Sequence, residues 1–263
     1  MSARTGNHGI ATSEDKALGG RLVLRQPLRG HRFGHDAFLL AAATSAPAGG
    51  CAVELGSGVG AAGLALARRV ADLTVALVDV DPALTELARE NAARNDLAER
   101  VRAVCLDVAA PAAAFAAAGL AEGSADCVLM NPPFNSADNA SPDPGRRRAH
   151  TAPNDTLALW VRTAARLLRP AGALTLIWRA DGLAEALAAL APDFGAVSLL
   201  PVYGKPDAPA IRILARAVKG SRALLTLHPG LLLADARGMP TAAAEAVLRG
   251  GATLPLLGIE DLT

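Results

Sequence analysis

Three groups of residues have the types and the spacing to do chemistry. Residues 53 to 63 read Val-Glu-Leu-Gly-Ser-Gly-Val-Gly-Ala-Ala-Gly. Glycines at 56, 58 and 60 allow a tight strand-to-helix turn with no Cβ between the backbone and a ligand. A nucleoside cofactor is the implied occupant, and Glu54 stands directly before this loop. Spacing alone leaves the kind of nucleoside open, because Gly58, Gly60 and Gly63 also match the dinucleotide pattern GxGxxG. The second group consists of acids at the ends of apolar runs. Asp79 can accept hydrogen bonds from both hydroxyls of a ribose. Asp107 can accept one from an adenine amino group, or cap the helix that follows. Asp81, ahead of Pro82, reads as a helix N-cap instead. The third group is Asn131-Pro132-Pro133-Phe134, directly after the run Asp126–Met130. Each proline fixes its own φ and holds its predecessor extended. The result is a stiff arch in which the Asn131 side-chain oxygen and the Pro132 carbonyl aim at one point, with an aromatic face beside them.

Such groups need a scaffold that brings strand ends together. From Cys51 onward, short apolar runs alternate with helical segments. The strands expected are Ala52–Leu55, Thr74–Asp79, Arg102–Leu106, Ala125–Met130 and Ala173–Trp178, with helices at Gly60–Val70, Pro82–Asn95, Ala112–Ala118, Asn154–Leu168 and Leu183–Leu190. This alternation predicts an α/β fold: a doubly wound, Rossmann-like parallel sheet with helices on both faces. The runs Val197–Val202 and Ala210–Ala217 have no helix between them, which predicts an antiparallel edge hairpin. Residues 1–20 are expected to be a flexible tail. Residues 21–44 are expected to form a short N-terminal β-hairpin, pairing Leu22–Arg25 with the segment around Phe33, followed by a helix capped by Asp36. Residues 45–228 then form the main domain, and residues 229–263 a C-terminal extension packed on it. The stretch from Pro132 to Pro153 is too long to be a mere connection.

The third group decides between cofactors. With Asn131-Pro132-Pro133-Phe134 in place, the sequence resembles the S-adenosylmethionine-dependent amino-methyltransferases that carry an Asn-Pro-Pro-Tyr/Phe motif. More narrowly, it resembles the bacterial tRNA1(Val) (adenine-37-N6)-methyltransferase family. The likeness runs from the FGHDAFLLA segment at 33 to 41, through ELGSGVG, VDVDP and NPPF, to RLLRPAGALTLI at 167 to 177. It implies S-adenosylmethionine as cofactor, with the methionine part at Gly56, Gly58 and Gly60, the ribose at Asp79 and the adenine at Asp107. Glu54 and Asn131 are implied to face the cofactor as well, although a carboxylate at 54 could equally pin the loop backbone. The implied reaction is methylation of a planar NH2 nitrogen by Asn131, Pro132, Pro133 and Phe134, with adenine N6 of a tRNA as the expected acceptor. Two alternatives stand beside it. One is protein glutamine N5-methylation of the release-factor type, which shares the Asn-Pro-Pro motif but usually carries an N-terminal helical domain that residues 1 to 35 do not resemble. The other is a non-catalytic RNA-binding module of the same fold.

Composition narrows the partners. Of 26 basic residues only Lys16, Lys205 and Lys219 are lysines, and the formal net charge is +1. An attraction to tRNA must therefore come from a local patch. The candidates are Arg146, Arg147 and Arg148 in the long loop, and Arg32 with Arg25 and Arg29 near the N-terminal hairpin. A merely solvated arginine loop is the competing reading. No apolar run approaches the ~20 residues that span a bilayer, and the first 20 residues lack the ~7–15-residue apolar stretch of a secretory signal. A cytoplasmic protein without membrane partners is expected. Cys51, Cys105 and Cys127 have no metal-ligand spacing and read as reduced core residues, so no metal is expected.

Overall fold

The computed structural model describes residues 4–5, 11–30, 32–133 and 153–256. Near the N-terminus, β1 (Arg4–Thr5), β2 (Ala11–Ala17) and β3 (Leu22–Pro27) form a small antiparallel sheet. Its pairing corrects the sequence expectation. The partner of β3 is β2, in register from Thr12 opposite Pro27 to Ala17 opposite Leu22, and not the segment around Phe33. The span read as a tail thus contains a strand. Its sequence, Ala-Thr-Ser-Glu-Asp-Lys-Ala, carries almost no apolar alternation, because ladder bonds to β3 and ion pairs to residues outside the sheet hold it. Asp15 pairs with Arg32 at 3.1 Å and Glu14 with Arg94 at 3.0 Å.

Helix α1 (His35–Ala43) follows. Asp36 does not cap it. Gly34 occupies the N-cap position without a side-chain bond, and Asp36 lies in the first turn, paired with Arg212 at 2.8 Å. The apolar runs beyond it become one large sheet. β4 (Cys51–Leu55), β5 (Thr74–Asp79), β6 (Val101–Cys105), β7 (Ala125–Met130) and β8 (Leu168–Arg179) are parallel. β9 (Phe194–Tyr203) and β10 (Ala210–Lys219) add the expected hairpin, with β10 antiparallel to both β8 and β9. The order across the sheet is β6-β5-β4-β7-β8-β10-β9. The chain starts in the middle at β4, winds outward to β6, and returns to the other side of β4 as β7. Ligands of open α/β sheets bind beyond the strand ends at such a reversal.

Successive side chains along a strand serve opposite faces. Val75 and Leu77 join one core, with α1, α2 (Ala61–Arg69) and α3 (Pro82–Arg94), while Ala76 and Val78 join the other, with α4 (Ala112–Ala117), α5 (Pro153–Leu167) and α6 (Leu183–Leu190). Ala61 through Ala67 of α2 are all buried, which its run of Ala, Gly and Leu permits between the sheet and α1. Asp81 caps α3 as expected, accepting from the Ala83 and Leu84 N–H groups with Pro82 at the first helical position. The short strands β11 (Thr226–Leu227) and β12 (Leu231–Leu232) pair with β9. Helix α7 (Ala242–Leu248) sends Val247 into the α1–α2 core, and the Leu254 N–H donates to the Ala42 carbonyl at 2.9 Å. Of the three free cysteines, Cys127 is buried, but Cys105 is exposed on the edge strand β6, contrary to its reading as a core residue. Among the described residues no helix is long and apolar enough to cross a membrane, and no cluster of three or more His, Cys, Asp or Glu could hold a metal ion.

Candidate active site

β4 ends at Leu55, and the chain turns into α2 through Gly56, Ser57, Gly58, Val59 and Gly60. The three glycines have φ of 67°, 53° and 84°, a region that side chains strain to enter. Two of them also make room for the protein itself. A Cβ on Gly56 would overlap the Trp160 ring from α5, and one on Gly60 would lie 2.7 Å from Leu77 Cδ1. The turn is held to β5 from below. The Ser57 N–H donates to the Val78 carbonyl at 3.0 Å and the Gly58 N–H to Asp79 Oδ2 at 2.7 Å. Asp79 Oδ1 accepts from the Asp81 N–H at 2.9 Å. Asp79 therefore shapes the loop in this structure, with each of its oxygens on a backbone N–H.

Glu54 lies two residues before Gly56, on the α2 face of the sheet, and is 5% exposed. Its Oε2 accepts from the Gly63 N–H at 2.7 Å. Burial pushes its carboxyl up to about 8; the Gly63 bond opposes the rise and the nearby Asp79 adds to it.

Beyond the strand ends is a cavity of about 200 Å³. Glu54, Gly56, Ser57 and Gly58 form one side, and Asn131 lies at the end of β7. The opposite wall is the stretch from Arg32 through Phe33 and Gly34 to Asp36 on α1. Two buried polar atoms in this cavity, Asn131 Oδ1 and Ser57 Oγ, have no hydrogen-bond partner. Unpaired buried polar atoms are costly in a native structure, and a shared cavity gives them a ligand to meet. A cavity with orphaned oxygens, one buried carboxyl and a turn of positive-φ glycines suits a nucleoside cofactor such as S-adenosylmethionine.

The structure thus gathers Glu54, Gly56, Gly58, Asn131 and Arg32 around one cavity, with Gly60 completing the turn and Pro132 buried directly after Asn131. Asp79 and Asp107 do not line it; Asp79 ends β5 and Asp107 follows β6 at the same sheet edge. Asp107 caps no helix. It makes a local turn, accepting from the Ala109 N–H at 2.8 Å, and Pro111 precedes α4. Arg32 donates to Asp15, to Ser13 Oγ and to the Pro27 carbonyl. Arg25 is paired with Glu90 at 2.9 Å. Phe134, Arg146, Arg147 and Arg148 lie outside the described residues. The sequence reading missed Ser57, Phe33 and Trp160 as parts of the site. It also passed over Val80, 64% exposed beside Asp79. A lone serine or valine among glycines and acids carries no spacing signal.

The family model of the methyltransferase small domain matches residues 33–202. A tRNA1(Val) (adenine(37)-N6)-methyltransferase of Porphyromonas gingivalis is 31% identical over 160 residues, covering 59% of this chain and 61% of the relative. A release factor glutamine methyltransferase of Chlorobaculum tepidum is 32% identical over 166 residues, covering 59% of this chain and 54% of the relative. Among solved structures, that of a predicted O-methyltransferase from Agrobacterium tumefaciens superimposes with a TM-score of 0.71 at 29% identity, over 83% of this chain and 98% of that one. The chain thus spans between half and two thirds of the length of these curated relatives.

Proposed function

The chain belongs to the methyltransferase small domain family, and from that premise we propose that it methylates an exocyclic amino nitrogen, adenine N6 of a tRNA. The cofactor is S-adenosylmethionine, whose sulfonium supplies an electrophilic methyl group. The observation that carries the reading is the buried, unpartnered Asn131 Oδ1 at the end of β7, next to Pro132 and across the cavity from α1.

An exocyclic amino group is a weak nucleophile because its lone pair is delocalised into the ring. Asn131 Oδ1 and the Pro132 carbonyl accept its two hydrogens, so the nitrogen can pyramidalise and direct its lone pair toward the methyl. The same two oxygens stabilise the positive charge that grows on nitrogen, and being fixed by the prolines they need no reorganisation to do so. Phe134 stacks on the base and sets its plane. Holding the two reactants in line removes a large part of the entropic barrier. No general base is needed, since the proton leaves once the nitrogen is methylated. Glu54, Ser57 and the glycine turn hold the methionine end of the cofactor, and Asp79, Val80 and Asp107 its adenosine end.

The names of relatives such as the Porphyromonas protein support tRNA as the acceptor. Reaching an adenine in a folded loop requires turning the base out of its stack. The phosphate contacts fall to Arg146, Arg147 and Arg148, because the Arg32 guanidinium is already bonded within the N-terminal sheet. The test is transfer of labelled methyl from S-adenosylmethionine to total tRNA and, separately, to a protein extract, both from a strain lacking the gene. N6-methyladenosine in the digested tRNA is the expected product. Label only in protein, as the glutamine alternative requires, or label on an oxygen, overturns the proposal.

A further inference from the structure

Asn91 lies on α3, outside the cavity, yet it holds one of the cavity's walls. It is fully buried, and its amide makes three hydrogen bonds. Oδ1 accepts from the Arg25 N–H at 2.7 Å, while Nδ2 donates to the Arg25 carbonyl at 2.9 Å and to the Val59 carbonyl at 3.0 Å. One turn further along α3, Asn95 clamps Val23 in the same way. Its Oδ1 accepts from the Val23 N–H at 2.9 Å, and its Nδ2 donates to the Val23 carbonyl at 2.9 Å. The last Asn95 bond stays inside the helix, to the Asn91 carbonyl at 2.8 Å. The two amides act as a substitute strand along β3, and they differ in one respect. Asn91 also reaches the glycine turn.

That bond falls where the sheet leaves the turn unheld. The Val59 carbonyl belongs to the peptide that joins Val59 to Gly60, and Gly60 has a φ of 84°. A glycine on one side of a peptide plane lowers the resistance to its rotation. From the sheet side, the bonds to Val78 and Asp79 fix the N–H groups of Ser57 and Gly58 but leave this carbonyl alone. The Gly60 N–H of the same peptide donates to the Ser57 carbonyl at 2.8 Å and closes the turn, so a rotated plane would open it.

We infer that Asn91 is a positioning residue for the cofactor: by holding the Val59 carbonyl it fixes the glycine turn, and it makes the N-terminal sheet's grip on α3 a condition of cofactor affinity. The inference rests on the reading of that turn as the cradle for S-adenosylmethionine. A loop held in its binding shape has no ordering cost left to meet when the ligand arrives.

The matched pair supplies the test. Full-length Asn91→Ala and Asn95→Ala are compared with the wild type in thermal midpoint, in calorimetric affinity for S-adenosylhomocysteine, and in amide hydrogen exchange at Gly60. Both variants lose a two-bond clamp on β3, so both melt at a lower temperature. Asn91→Ala alone is expected to weaken the ligand about tenfold, the scale of one lost buried hydrogen bond, and to speed exchange at Gly60. Equal effects of the two variants on affinity and exchange would mean that Asn91 only glues the sheet to α3, and would overturn the inference. If Asn91→Ala does not fold, Asn91→Asp keeps the acceptor for the Arg25 N–H and removes both donors; wild-type affinity and exchange in that variant overturn it equally. Should the wild type bind no S-adenosylhomocysteine, the cofactor reading fails, and Gly60 exchange then decides by itself whether Asn91 holds the turn.

Discussion

Two cavities among the described residues are of similar size, and the larger of the two is not the candidate site. A space of about 270 Å³ lies between α1, α2 and the C-terminal extension, lined by Leu18, Phe38, Val247, Arg21, Arg68 and Arg69 among others. Its arginines are bonded to backbone carbonyls. Arg21 donates to the carbonyls of Leu18, Arg249 and Gly250, Arg68 to that of Asn95, and Arg69 to those of Ala41 and Thr44. Most of these carbonyls belong to the C-terminal ends of α1, α3 and α7, which lack intrahelical donors and attract positive charge. The smaller cavity, about 200 Å³, instead contains two buried oxygens with no partner, on Asn131 and Ser57. Volume therefore ranks the two spaces one way, and unsatisfied polar chemistry ranks them the other. The second criterion is the functional one, because an unpaired buried acceptor that faces a cavity is a standing cost that a bound ligand can remove.

The sharpest way to break this contrast is to delete the orphaned acceptor. Asn131→Ala is expected to lower single-turnover methyl transfer by about 10²–10³, the scale of removing one preorganised hydrogen-bond partner of a transition state, while calorimetry finds cofactor affinity close to wild type. Near-normal transfer would show that the unpartnered oxygen is not the reacting one. Next in size is Gly56→Ala. It forces a side chain to φ 67° and into the Trp160 ring, which costs about 1–3 kcal/mol of stability as overpacking does, and cofactor affinity falls with it. Adding Trp160→Leu removes the overlap but not the backbone strain, so the double variant should recover part of the loss in thermal midpoint. No recovery would place the whole penalty in the backbone.

These two sites were not equally legible in the sequence. The sheet was readable because its central strands are buried on both faces and appear as short, mostly apolar runs, from Ala52–Leu55 to Ala125–Met130, each broken by a single acid, Glu54 or Asp126. The glycine turn and the Asn-Pro-Pro arch were readable because backbone geometry demands those residue types in that order. β2 was not readable, since ion pairs and ladder bonds hold a polar strand that has no hydrophobic period. Of the wall from Arg32 to Asp36, only Arg32 was singled out as a site residue, for its charge; Phe33 and Gly34 escaped, because their nearness to Asn131 comes from how α1 lies against the sheet. Asn91 and Asn95 did leave a trace, as two amides one turn apart in an otherwise alanine-rich helix. Their targets, Val23, Arg25 and Val59, are contacts made only by the fold. Asp79 shows the reverse case. Its position at a strand end drew attention to a ligand, and the structure puts one of its oxygens on the loop that would hold one and the other on the Asp81 N–H.

Glu54 tests the smaller cavity through pH. Its carboxyl is raised from 4.5 to about 8, chiefly by burial. Between those values the folded protein keeps a proton that the unfolded chain has released, so the native state binds more protons and stability falls as pH rises. The Glu54 contribution is fully present below about pH 4.5 and lost as pH passes through about 8. In Glu54→Gln the amide oxygen can still accept from the Gly63 N–H, and no charge has to be buried. Thermal midpoints across this range should therefore decline more steeply for the wild type than for the variant. Parallel curves would mean that the buried carboxyl does not titrate as its surroundings require.

The smallest expected effect belongs to the larger cavity, and its smallness is what sharpens the contrast. Arg21 bridges the Leu18 turn to the residues after α7, and its guanidinium lies against Gly251. Arg21→Ala removes donors from the Leu18, Arg249 and Gly250 carbonyls. The side chain is exposed, so water can take over part of that bonding, and the loss should be about 1 kcal/mol, read as a small drop in thermal midpoint. Among the described residues none of these carbonyls bonds to the glycine turn, and α2 begins at the turn and reaches this cavity through Ala65, Arg68 and Arg69, toward its far end. Affinity for S-adenosylhomocysteine should therefore stay at the wild-type value while the midpoint falls. If the affinity drops as well, the two cavities are energetically joined through α2, and the division between a structural space and a functional one does not hold.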